Sequence, residues 1–135
     1  ASTLARLCDT VAEVSCHYYI GYDAKIYQLV ADDTVSYHAG VSQWGDVKNL
    51  NDYSIGIEIA NPGPKANPPF SQPYTPTQYA ALRELLAHLM AKHNIPAANI
   101  LAHSDIAPDR KDDPGIHFDW DELSQLNIFK QSSSR

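Results

Sequence analysis

Between Ser54 and Ala60 the chain reads Ser-Ile-Gly-Ile-Glu-Ile-Ala, with isoleucine at 55, 57 and 59 and small or polar residues at the positions between. Strict alternation with branched side chains on one face predicts a strand, because a helix would scatter those isoleucines around its circumference. A strand with so apolar a face needs a sheet around it and a second layer packed on that sheet. On the opposite face Glu58 is the one ionisable group. A carboxylate in mid-strand costs free energy unless it is solvated or paired. Glu58 therefore sits either on a wet face or beside a partner such as a metal-associated water, and Gly56 next to it leaves room for a substrate.

The covering layer is predicted to start at Thr75-Pro76-Thr77-Gln78, which offers an N-cap, a proline at the first helical position and a capping-box glutamine. Tyr74 and Tyr79 are spaced as a hydrophobic staple. Leu82, Leu85, Leu86 and Leu89 form the buried stripe, Lys92 and His93 suit the C-terminal end, and Pro96 stops the helix. That leaves His88 and His93 at the surface or its boundary. Asp119-Trp120-Asp121-Glu122 repeats the start signal and predicts a short helix through Leu123 and Leu126, followed by a frayed tail over 130–135.

Val14–Ile20 and Lys25–Val30, rich in aromatic and branched residues and separated by Gly21-Tyr22-Asp23-Ala24, predict a β-hairpin. Its tyrosines are either packing or a sugar-binding wall. Leu4, Leu7, Cys8 and Val11 have helical spacing, so Ala1–Val11 is expected to be a short amphipathic helix. Ala31–Asp52 is polar with two glycines, as in a long surface loop over a groove, and the six prolines of Asn61–Pro76 make a rigid surface connection. The expected architecture is a single α/β domain over 1–135, a mixed central sheet with flanking helices.

A chain of 135 residues, 44% of them hydrophobic, fills one core and no more. Its net charge of −6 gives no basic footprint for nucleic acid. No window approaches the roughly 18 apolar residues of a membrane span, and Ala1–Thr10 has neither part of a signal peptide. Two cysteines, Cys8 and Cys16, are too few for a disulfide framework and lack a metal-site spacing.

Chemistry concentrates in Leu101–Gly115, LAHSDIAPDRKDDPG. A short apolar run delivers His103 where a strand gives way to loop, and a loop closing at Asp113-Pro114-Gly115 can bring a carboxylate back beside that imidazole. Both groups are accepted by zinc. The alternative is a polar loop with a histidine that only satisfies a backbone group.

This loop, with Asn51–Glu58 and Tyr37-His38-Ala39-Gly40, closely resembles the zinc N-acetylmuramoyl-L-alanine amidases, and among them the AmpD and AmiD branch. The likeness runs from about Val14 to Phe129 with motifs in the same order. It implies the fold of that family, with a zinc cleft on one face of the sheet. It makes His103 and Asp113 ligands of Zn2+, Glu58 the catalytic glutamate, and Lys111 the group that holds the developing oxyanion. His38, in an aromatic-His-Ala-Gly element with tyrosine where tryptophan is usual, becomes a substrate contact. Arg110 is a candidate for stem-peptide carboxylates, or an ion-pair partner of Asp109 or Asp112. His17 is read as a buried, hydrogen-bonded histidine of the cleft floor, or as a replacement ligand.

The implied reaction is hydrolysis of the amide between N-acetylmuramic acid and L-alanine, in peptidoglycan or in anhydro-muropeptides, in the periplasm or cell envelope or else in the cytoplasm. Two other readings stay open: a zinc hydrolase of another amide, and a peptidoglycan-binding module that does not cut. One departure bears on both. The family takes its first zinc ligand from a histidine on an opening strand that precedes the segment resembling Ser2–Ile20, and no histidine precedes His17 here. The expectation is therefore that the opening strand is absent from these residues or supplied by a separate N-terminal segment, leaving the sheet a strand short.

Overall fold

The computed structural model describes residues 4–8, 16–33, 43–44, 47–48, 54–61, 73–107, 114–115 and 117–128. The alternating isoleucines form strand β6 (Ser54–Ile59) of a five-stranded sheet ordered β3-β2-β6-β1-β7. Here β1 is Leu4–Cys8, β2 Tyr18–Ile20, β3 Ile26–Gln28 and β7 Ile100–Ala102. β6 runs parallel to β1 and β2, β1 parallel to β7, and only β3 is antiparallel to its neighbour. Every residue of β6 is buried, including Glu58 at 2% exposure. The wet-face reading of that strand is thereby corrected: both faces are covered, as expected for the central strand of a mostly parallel sheet.

The expected helix over Ala1–Val11 is also corrected, because Leu4–Cys8 is an interior strand of the sheet, hydrogen-bonded on both sides. Helical spacing over so few residues is weak evidence. A segment this short gains more from two neighbouring ladders than from a helix of one or two turns, whose nucleus is costly. The hairpin of β2 and β3 forms as read, with Tyr19 opposite Tyr27, although its strands are shorter than the apolar runs. Ala24 takes a left-handed conformation in the turn (φ 63°). Within the polar segment expected to be loop, β4 (Gln43–Trp44) and β5 (Val47–Lys48) pair as a separate two-stranded ribbon.

Helix α1 (Pro76–His93) starts and stops where its signals stand. Thr75 Oγ1 accepts from Gln78 N–H at 3.2 Å, Gln78 Oε1 accepts from Thr75 N–H at 3.0 Å, and Asn94 ends the helix at φ 54°. Gln78 is itself buried, and its Nε2 donates to Ala60 O at 2.8 Å and Gly21 O at 3.2 Å. One side chain therefore caps α1 and ties its start to the ends of β2 and β6. The leucine stripe of α1 packs in one core with Tyr18, Ile20, Ile55, Ile57, Ile59, Ile100 and Ala102. Each of the three β6 isoleucines contributes about 1.5–3 kcal/mol by burial. The C-terminal helix is a 3₁₀ helix over Trp120–Leu126, with Asp119 accepting from Asp121 N–H at 3.1 Å.

At its other end α1 is held by a buried carboxylate that its sequence neighbours do not reveal. Asp32 accepts from the Tyr18 hydroxyl, from Lys92 Nζ at 3.1 Å and from His93 Nε2 at 2.8 Å. Burial alone would raise the Asp32 pKa, but these three partners outweigh it and hold the group at about 2, against an ordinary 3.8. A folded-state pKa below the unfolded one means stability that is present above about pH 4 and lost as pH falls toward 2. Asp32→Asn is expected to cost about 2 kcal/mol at neutral pH. The difference from the parent should shrink as the pH drops through that window, read as urea midpoints at each pH. Equal midpoints at neutral pH would show that the network contributes nothing net.

Candidate active site

Register sorts the sheet's residues onto two faces. Tyr18 stands opposite Ile57 and Ile20 opposite Ile59, all four in the core. Tyr19 and Glu58 lie between them and are paired with each other, so they share the other face. In β7, Ile100 and Ala102 belong to the core and Leu101 does not. The same alternation carries His103, the first residue past β7, to the Glu58 side.

Register also sets how far apart these groups stand. Cys8 of β1 pairs with Glu58, and Leu7 pairs with Ala102. One step further along β1 and β7 brings His103 into the row of Glu58, two strand spacings or about 10 Å away between backbones. At that spacing two side chains on one face reach toward a shared volume above β1 without having to touch. His103 is 5% exposed and opens a four-residue helix, α2 (His103–Ile106), where a loop was expected. The junction is fixed by Asp105, whose carboxylate accepts from Ala102 N–H at 2.9 Å.

His17 is fully buried. Its N–H donates to Gly56 O at 3.0 Å, and Gly56 N–H donates back to its Nδ1 at 3.1 Å. The imidazole takes the place of a backbone acceptor at the end of the β2–β6 ladder. A ring that accepts at Nδ1 carries its neutral-state proton on Nε2, so it presents a donor rather than a lone pair there. Tyr19 is partly buried, and its phenol is pushed above the ordinary range by that burial and then by nearby Tyr22, Glu58 and Asp23.

His38, Arg110, Lys111 and Asp113 lie outside the described residues, as does the tail. The residue after Asp113 is described, however, and it is anchored. Tyr74 donates through its hydroxyl to Pro114 O at 2.9 Å, and Gly115 follows at φ 91°, a conformation that favours glycine. Tyr74 sits edge-on to Tyr79 and Phe118, and Tyr79 Oη accepts from Asp119 N–H at 2.8 Å. Pro114 is thus fastened to the start of α1. Sequence reasoning found Tyr74 only as a staple; the anchoring hydroxyl had no signal beyond tyrosine standing where phenylalanine would pack equally well.

Among the described residues no three His, Cys, Asp or Glu side chains form a group that could hold a metal ion. Of their imidazoles, that of His103 is the one the register carries into the row of Glu58.

The family model for N-acetylmuramoyl-L-alanine amidase matches residues 1–116. The chain belongs to that amidase family. It is 42% identical over 136 residues to the N-acetylmuramoyl-L-alanine amidase AmiD of Escherichia coli K12, covering 94% of this chain and 49% of AmiD. With the 1,6-anhydro-N-acetylmuramyl-L-alanine amidase AmpD of Salmonella typhimurium SL1344 it shares 40% identity over 113 residues, 84% of this chain and 57% of AmpD. The chain spans about half the length of these curated relatives. Among solved structures, E. coli AmiD in complex with anhydro-N-acetylmuramic acid-L-Ala-D-γ-Glu-L-Lys aligns with a TM-score of 0.83 and 35% identity, over 96% of this chain and 58% of that one. The mixed sheet with flanking helices is the amidase fold of these relatives. Among the described residues no helix is long and apolar enough to cross a membrane.

Proposed function

We propose that this chain hydrolyses the amide bond between the lactyl group of N-acetylmuramic acid and L-alanine, in peptidoglycan or soluble anhydro-muropeptides. The observation that carries the reading is a buried carboxylate, Glu58, in mid-strand on the face and in the row to which His103 is delivered. Family membership and the muropeptide bound by AmiD support it.

His103 and Asp113 would hold Zn2+, an imidazole and a carboxylate being donors of the type zinc accepts. Zinc, when bound, supplies the Lewis acidity that makes water nucleophilic near neutral pH and polarises the carbonyl. Glu58 takes the proton from the attacking water and returns it to the leaving nitrogen of L-alanine. Lys111 neutralises the negative charge that develops on the carbonyl oxygen. His38 and Arg110 contact the substrate, Arg110 through carboxylates of the stem peptide. The reaction would take place in the periplasm or cell envelope, the cytoplasm being the alternative.

The third ligand comes from a separate segment that completes the site. To reach the volume shared by Glu58 and His103 it would have to displace β1 from its place between β6 and β7. The experiment is incubation with an anhydro-muropeptide and excess zinc, of the chain alone and of the chain fused behind the N-terminal segment of E. coli AmiD. Release of intact stem peptide by mass spectrometry is expected, and more of it from the fusion. No release from either protein would end the proposal.

A further inference from the structure

The row that holds Glu58 does not stop at β2. Tyr19 pairs with Glu58 on one side and with Tyr27 of β3 on the other, so all three project from the same face. The two rings lie with centroids 6.2 Å apart at 40°. Tyr27 is 44% exposed although it stands on the sheet's edge strand, and Leu29 beyond it is 52% exposed. All of β3 is exposed, so Tyr27 meets solvent while its ring stays in contact with Tyr19. Beside it Asp23 is held at the rim: its Oδ1 accepts from Lys25 N–H at 3.0 Å and its Oδ2 from the Tyr27 hydroxyl at 3.4 Å.

We propose that Tyr19 and Tyr27 form a stacking platform for a sugar ring of the glycan, with Asp23 accepting from its hydroxyls. An aromatic face flanked by a hydrogen-bonding carboxylate matches a pyranose, which is apolar on its ring face and polar around its rim. The placement matches too. Tyr27 is two strand spacings, about 10 Å, from Glu58, and the muramic acid carries the amide bond at which Glu58 would act as general base. A second copy of the chain pairing along β3 would use the backbone edge of that strand, whereas the tyrosines stand on the face continuous with Glu58. The choice of a glycan as occupant rests on the amidase reading.

The test separates the two. ¹⁵N-labelled protein is titrated with the β-1,4-linked trimer of N-acetylglucosamine, which has no stem peptide, and separately with a stem peptide that has no sugar. The trimer is expected to shift amide signals of the β2–β3 hairpin. Tyr27→Ala should weaken its binding about three- to tenfold, and Tyr27→Phe, which keeps the ring, should weaken it far less. Tyr27 is exposed, so both variants should fold. Hairpin shifts with the peptide alone, or trimer affinity unchanged in Tyr27→Ala, would overturn the platform. Trimer binding without muropeptide hydrolysis by either the chain or the AmiD fusion would instead overturn the amidase reading and leave the platform standing. Hydrolysis with the same KM for a glycan-linked substrate in parent and Tyr27→Ala would do the reverse.

Discussion

Glu58→Gln is expected to lower muropeptide hydrolysis by roughly 10²–10⁴, the usual worth of a general acid–base group, while zinc affinity and thermal stability stay near those of the parent. The amide has nearly the volume of the carboxylate and still hydrogen-bonds in a buried position, so the fold has little reason to respond. It cannot accept the proton of water. Glu58→Ala should lose as much activity but also some stability, because a small side chain leaves a cavity against β1 and β2. Parallel measurements of kcat, zinc affinity and melting temperature decide the matter. Turnover within a few-fold of the parent in Glu58→Gln would remove Glu58 from the chemistry and make it a structural carboxylate of the sheet.

Glu58 also shows what the sequence could carry. Its place on the non-isoleucine face followed from alternation alone, and β6 forms with that facing. The start of α1 was legible for a similar reason: a capping box is a local device, written in four consecutive residues and satisfied by them. What was not legible depends on partners distant in the chain. Asp32 looked like one acid in a polar stretch, and only the fold brings Tyr18, Lys92 and His93 to it. Gln78 was found as a cap, but its second role needed the positions of Gly21 and Ala60. Leu4–Cys8 fails in the opposite direction. Its local spacing favoured a helix, and pairing with two strands that lie some fifty and a hundred residues later overrode it. The proposed site divides along the same line, with Glu58 and His103 positioned by strand register and the remaining proposed groups outside the described residues.

The ligand assignment makes the second large prediction. His103→Asn and Asp113→Asn should each weaken zinc binding by more than the roughly 10–100-fold that loss of an outer-shell partner costs, since each removes a bond to the metal itself. His17→Asn should leave zinc affinity near that of the parent. Gly56 N–H occupies the Nδ1 lone pair of His17, and the neutral ring then carries its proton on Nε2, so binding a metal through either nitrogen would require giving up the bond from Gly56. Asparagine offers a carbonyl oxygen close to the position of Nδ1 and can accept from Gly56, which keeps the β2–β6 ladder closed. The main-chain carbonyl of His103 accepts from Ala107 N–H at 3.0 Å as the short helix begins. Zinc affinities from competition with a chromophoric chelator, made on each folded variant, read the difference directly. Should His17→Asn lose zinc as severely as His103→Asn, His17 is the third ligand, and no separate segment is needed to complete the site.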